Sequence, residues 1–501
     1  MRKSATAILV LVLAALGTAT EPRAELKLHS LFADHMVLQA DFACPVWGTV
    51  EPGEDITVSI AGHKKTAKAN ADGKWSLKLD PMKSGGPHEM TVAGRTSVTV
   101  QDVLIGEVWV CSGQSNMEMV VSSCNNFEQE KAAANFPNLR HFLVKKNPQD
   151  APVRDVSGSW KATTPETVGG FTAVGYFFGR ELNQKLNVPI GLIHTSWGGT
   201  AAELWTSRPV LEGNDVLKPI AENFPKRMEA YEKQLAKFKE DSKKAKAENK
   251  PAPKAPNKPM SPSCLYNGMI APIIPYGIKG AIWYQGESNA GGAKQYQTLF
   301  PEMIKNWRTD WGQGDFPFGF VQLANFKSNK NENLEKPVES NWAELREAQT
   351  MTLSLPHTGM AVIIDIGHPT DIHPKNKQDV GKRLSLWAQS QVYGKELPEF
   401  SSPLFDSIKV EDNKARIAFK HAGGGLEAKG DKLTGFAIAG EDRNFVWADA
   451  KIDGASVVVS SDQVAKPVAV RYAWADYPEC NLYSKEGLPA SPFRTDTWPR
   501  K

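Results

Sequence analysis

An α/β core with a parallel sheet, flanked along the chain by β-rich segments, is the fold class this sequence predicts. Three observations lead there. Between residues 101 and 395, apolar strand-like runs alternate with helical stretches, the pattern of parallel strands joined by helices. Between 25 and 100, short alternating runs are broken by turn residues, as in a β-sandwich. From 396 to 501 that alternation returns. At 501 residues the chain exceeds one ordinary core, so several domains are expected.

The elements follow in order. Residues 1–24 read as a signal peptide. Arg2 and Lys3 form a basic start, and Ala5 to Leu16 is an apolar run too short to span a bilayer with confidence. A secreted or periplasmic protein is therefore expected, with no membrane span after leader removal. In the 25–100 β segment, Ile56-Thr57-Val58-Ser59-Ile60 alternates, and Glu51-Pro52-Gly53 and Ala71-Asp72-Gly73 mark turns. The core strands are expected at Glu107–Cys111, Pro189–Ile193, Gly280–Tyr284, Phe318–Leu323 and Met360–Ile364, and helices at 173–187 and 378–392. Residues 212–262 read as an insertion. Within it, Met228, Tyr231, Leu235 and Phe238 recur at helical spacing before a Pro- and Lys-rich stretch. In the 396–501 β domain, Lys414–Phe419 and Ala455–Val459 alternate.

A net charge of +3 provides no strong field for nucleic acid, and suits a neutral or mixed substrate. Five cysteines are widely and irregularly spaced, which disfavours a zinc site and leaves at least one unpaired within the chain. Cys111, inside an apolar run, is expected to be a packing residue.

Four polar clusters follow apolar strands. Gly113-Gln114-Ser115-Asn116-Met117 puts a serine at a strand-to-helix turn, where a hydroxyl is either a nucleophile awaiting a base or an N-cap. Ser196-Trp197-Gly198-Gly199-Thr200 offers glycine N–H groups to an oxyanion, or simply a tight turn. In Trp283-Tyr284-Gln285-Gly286-Glu287-Ser288-Asn289, Gln285 or Asn289 is a side-chain donor for the oxyanion, and Glu287 a buried acid; the bland alternative is a polar loop. Asp371-Ile372-His373-Pro374 holds a base with a carboxylate beside it, the pairing that fixes an imidazole tautomer. All four clusters sit at carboxyl ends of strands of one expected sheet, where α/β ligand sites lie. Their convergence makes a complete acyl-transfer set that requires neither metal nor cofactor.

Together these blocks resemble the SGNH hydrolase superfamily, and within it the sialate O-acetylesterase family. The likeness covers most of the chain, including Asn306-Trp307-Arg308 and Leu345-Arg346-Glu347-Ala348-Gln349. It implies a flavodoxin-like core, no metal, and hydrolysis of acetyl esters on sugar hydroxyls. Ser115 would be nucleophile, His373 base and Asp371 the triad acid. The oxyanion would be held by Ser115, Gly198, Gly199 and Gln285, with Asn289 second to Gln285. Gln114, Asn116, Glu287 and Asn289 would line the substrate, an O-acetylated sugar or glycan. Two departures stand out. Thr370 occupies the place, three before the histidine, where many superfamily members carry aspartate; Asp371 is two before, and Asp365 is held in reserve. The usual third-block asparagine also lacks a clear equivalent. Esterases of acetylated xylan or another polysaccharide are the rival enzymes, and a non-catalytic glycan-binding protein is the rival of another class.

Overall fold

The structure, a computed structural model, describes residues 25–327 and 335–500. The expected leader lies outside the described residues.

One strand organises the molecule. Ser97–Gly113 runs for 17 residues, alternating in exposure at its start and almost continuously buried at its end. Its two halves have different neighbours. The first half pairs antiparallel with Gly85–Ala93, which in turn carries Asp55–Ile60 and His63–Lys68. The second half lies between the parallel strands Ile190–His194 and Gly280–Tyr284. A strand flanked in a sheet covered on both faces must be apolar throughout, whereas a half-covered one alternates. The expected boundary at 100/101 therefore needs correcting: it falls inside a single strand, and the N-terminal β unit continues into the core sheet. A separate three-stranded sheet, Lys27–Leu28, Pro45–Thr49 and Lys74–Lys78, completes that unit.

Across the core the strand order is Trp160–Thr163, Phe136–Leu143, Ile190–His194, Ser97–Gly113, Gly280–Tyr284, Phe318–Val321, Thr358–Ala361. Neighbours are parallel except Trp160–Thr163, which runs antiparallel to Phe136–Leu143. The two expected helices appear as Ala173–Leu186 and Lys377–Trp387, the second extended by a turn over Ala388–Val392, and they pack on each other. Thr172 caps the first and Asn376 the second with side-chain oxygens, as short polar residues do at helix starts. Two further helices, Ala293–Trp311 and Asn341–Met351, pack together beside the sheet. All five cysteines, each among the described residues, are free, and Cys111 is fully buried.

The insertion folds as the helix Phe224–Ala247, with no buried residue. Its own Glu229–Lys233 and Glu240–Lys244 pairs are solvated i,i+4 contacts, worth only a few tenths of a kcal/mol each. Deleting residues 240–258 should shift the melting temperature little, because almost no apolar surface is lost. A clear drop in a thermal scan would show that the segment packs on the body.

The C-terminal segment has its own apolar core between two antiparallel sheets, with Ile417, Val457 and Val459 on one and Phe436, Ile438 and Tyr472 on the other. It is docked through Arg346, fully buried in the α/β core. This guanidinium donates to the carbonyls of Leu323 and Ala324 on its own side and of Ala475 and Asp476 on the other. Five donors in a rigid fork suit such a bridge.

Candidate active site

The nucleophile turn is dictated by Gly113. Its φ of +138° and the Tyr284 carbonyl, 2.2 Å from where a Cβ would stand, leave room for no side chain. The chain then turns, with Gln114 N–H donating to Tyr284 O, and Ser115 opens the short helical turn Ser115–Glu118. Ser115 Oγ lies 2.8 Å from His373 Nε2. His373 Nδ1 faces Asp371 Oδ1 at 3.6 Å, and the same oxygen accepts the His373 backbone N–H at 2.9 Å. That arrangement puts the ring proton on Nδ1 and leaves Nε2 as the acceptor for the serine proton. Burial holds the His373 pKa below the ordinary imidazole value; the Asp371 carboxylate opposes that shift and Lys377 adds to it. The imidazole is therefore neutral near pH 7, the state a general base requires.

Asp365, the reserve acid, is corrected by its partners. Both its oxygens are held by Arg383, at 2.6 and 2.8 Å, which fixes it as a structural ion pair. The acid beside His373 is Asp371.

The glycine block reaches the same turn. Trp197 N–H donates to Gly113 O, and a Cβ on Gly198 would lie 3.1 Å from the Ser115 Cβ. The Gly198 N–H is committed, however: it donates to Glu118 Oε2 at 2.5 Å. Glu118 is ion-paired with Lys146, whose ammonium lies 5.0 Å from the centre of the Trp197 ring. The N–H groups of Ser115 and Gly199 have no hydrogen-bond partner among the described residues.

In the first and third blocks Gln285, Asn116 and Glu287 are scaffold, which corrects three expected roles. Gln285 is fully buried; its Nε2 donates to Thr200 O and Asn289 Oδ1, and its Oε1 accepts from Tyr296. No donor is left for an oxyanion. Asn289 accepts the Ala202 N–H and a Gln285 amide proton on Oδ1 and donates one of its two amide protons to Glu203 Oε2. Gln114 is buried and its Oε1 accepts the Ser288 N–H. Asn116 is buried and donates to Glu287 Oε1 at 2.6 Å and to Ile372 O at 3.0 Å. Glu287 is thus an interior acid whose pKa burial pushes up.

Sequence reasoning missed the partner beneath. Lys377, fully buried, donates to Asn116 Oδ1 at 2.5 Å, and its ammonium stands 5.1 Å from the Tyr284 ring centre. Burial lowers its pKa to about 8. Glu287, Asn116 and Lys377 form a continuous interior chain that clamps the turn after Ser115 to the loop bearing His373. Lys377 looks like any lysine opening a helix, so only its burial reveals it. Glu118 stood within reach, one residue beyond the serine block. Among the described residues, no group of three or more His, Cys, Asp or Glu side chains is placed to hold a metal ion.

A serine paired with a neutral imidazole at the carboxyl end of a parallel sheet defines a hydrolase of the serine-esterase class. The family model for carbohydrate esterases described as sialic acid-specific acetylesterase matches residues 105–249 and 259–385, and the chain belongs to that family. It is 32% identical to mouse sialate O-acetylesterase over 509 residues, covering 93% of each chain. The human sialate O-acetylesterase is also 32% identical, over 93% of this chain and 91% of its own. Among solved structures, a carbohydrate acetylesterase from Xanthomonas citri superposes with a TM-score of 0.82 at 42% identity, covering 95% of this chain and all of that one. The chain is a carbohydrate O-acetylesterase.

Proposed function

We propose that this esterase removes O-acetyl groups from sialic acids, through an acetyl-enzyme on Ser115. The observation that carries the mechanism is the 2.8 Å contact between Ser115 Oγ and His373 Nε2. Oγ attacks the acetyl carbonyl carbon while Nε2 takes its proton. Charge developing on the carbonyl oxygen is received by the N–H groups of Ser115 and Gly199, which are uncommitted, with Gly198 joining once Glu118 is drawn aside. The intermediate collapses, His373 returns the proton to the departing sugar hydroxyl, and water, deprotonated by His373, releases acetate. Lys146 and the Trp197 ring at the crevice supply a cation and an apolar face, which suit a sugar bearing a carboxylate. The names of the mammalian relatives support the same sugar.

In this proposal the core is an SGNH hydrolase core, supported by a nucleophile after one central strand and a base after the last. Export behind a cleaved 1–24 leader is part of this proposal, supported by the basic start and apolar run. N-terminal sequencing of the mature protein tests it.

Acetate release from O-acetylated sialic acids, acetylxylan and acetylated pectin tests the substrate. Release is expected first from the sialic acids. Release confined to xylan or pectin would overturn the sugar and leave the chemistry intact.

Asp371→Asn should lower kcat by about 10²-fold, less than the ~10⁴-fold of a fully buried triad acid, because this carboxylate is half exposed. It should also move the acid limb of the pH–rate profile to lower pH. The base works only when neutral, and losing a carboxylate that raises the His373 pKa lowers that pKa further. An acid limb that moves up, or a larger kcat loss in Asp365→Asn with normal melting, would reverse the assignment.

A further inference from the structure

Between the N-terminal three-stranded sheet and the core lies a cleft of 580 Å³, of the size that takes a small ligand. It shares no lining residue with the Ser115 crevice. Its walls are aromatic and aliphatic, with Trp47 and Trp75 facing Ile274 and Pro275. Gly48 keeps it open: a Cβ there would press within 3.0 Å of the Trp75 ring and 2.3 Å from Lys27 O.

The polar lining of this cleft is mostly donors, with Asp155 as its one acid. Trp75 is 3% exposed, and its Nε1–H has no partner. His29 is 4% exposed; its Nδ1 accepts the Leu31 N–H, so the ring proton sits on Nε2. That Nε2 stands 3.3 Å from Asp155 Oδ1, an oxygen that also accepts the Ser30 and Val156 N–H groups. Lys27 and Arg154 add two cations with no ion pair or side-chain hydrogen bond among the described residues, whereas Lys74 is paired with Asp72. The buried Trp75 N–H is costly without an acceptor. The same loop joins the cleft to the catalytic crevice. Lys146 reaches Glu118 beside the nucleophile, and eight residues later Arg154 lines the cleft.

We infer that this cleft is an accessory saccharide subsite that takes a carboxylate-bearing sugar of the glycan, its apolar face on Trp47 and its acid between Lys27 and Arg154. Hydroxyl or acyl oxygens of that sugar accept from Trp75 and His29. The inference rests on the acidic-glycan reading above, and its test is separable from the chemistry. Isothermal titration of the full protein with unacetylated 3′-sialyllactose, against lactose, measures the site. Binding should be at least about tenfold weaker for lactose, and should persist after Ser115 is capped by a phosphonate ester. It should fall about tenfold or more in Lys27→Glu/Arg154→Glu and in Trp47→Ala, while 4-nitrophenyl acetate turnover stays at the wild-type rate. The charge-reversed variant keeps the test decisive if Trp47→Ala fails to fold, since Lys27 and Arg154 are exposed. No binding by the wild type, equal binding of lactose, loss of binding on capping Ser115, or unchanged binding in the charge-reversed protein would each overturn the subsite. Failure of the esterase reading would appear instead as absent acetate release or a cap on another serine.

Discussion

Ser115→Ala should abolish labelling by an organophosphonate ester probe and lower kcat by about 10⁶-fold, with melting unchanged. The hydroxyl is the atom that becomes acylated, and no neighbouring group substitutes for it. His373 Nε2 at 2.8 Å would be left with a methyl group to face. Catalysis that survives should come only from substrate binding and the backbone donors. The decisive measurement is the mass of the labelled peptide from wild-type protein. A probe attached to any serine other than Ser115 would dismantle the mechanism, whatever the variant's rate.

Lys377→Met should cost about 3–5 kcal/mol of stability, the usual effect of removing one partner from a buried charge pair. The ammonium has no route to water, and its hydrogen bond to Asn116 Oδ1 is its link to Glu287. Removing it leaves Glu287 Oε2, already without a hydrogen-bond partner, uncompensated in the interior. Activity should fall too, because Asn116 ties the nucleophile turn to Ile372, next to the base. Urea unfolding and kcat together check this. Adding Glu287→Gln to Lys377→Met should recover part of the stability, since it removes the orphaned acid. A Lys377→Met protein as stable and active as wild type would show that the interior chain carries no strain of charge.

Much of the architecture was legible in the sequence because periodicity is local. The apolar runs Gly280–Tyr284 and Glu107–Cys111 could be read as core strands, and residues 173–187 as a helix, from neighbours a few positions away. The boundary at 100 was misread for a related reason. A strand passing from one sheet environment to another changes its pattern, and that change looks like a domain border. Helices Ala293–Trp311 and Asn341–Met351 went unrecognised. The first carries Pro301 and the second the buried Arg346, features that blur an amphipathic pattern.

By itself the sequence singled out the serine, the histidine and two candidate acids, Asp371 and Asp365, because a turn glycine, a hydroxyl and an Asp-x-His pair bear their chemistry wherever the fold carries them. It also determined which strands would bring them together. Only the tertiary structure decided how the polar groups around them are employed. Gln285 has the right chemistry for an oxyanion and is excluded because Thr200 O and Asn289 Oδ1 take both its amide protons. Asp365 is excluded by Arg383, eighteen residues along. Glu118 takes the Gly198 N–H, and Lys377 reaches Asn116 across 261 positions of chain. A buried polar group must find a partner, and the partner is whichever group the fold places nearest, a distance that sequence separation does not encode.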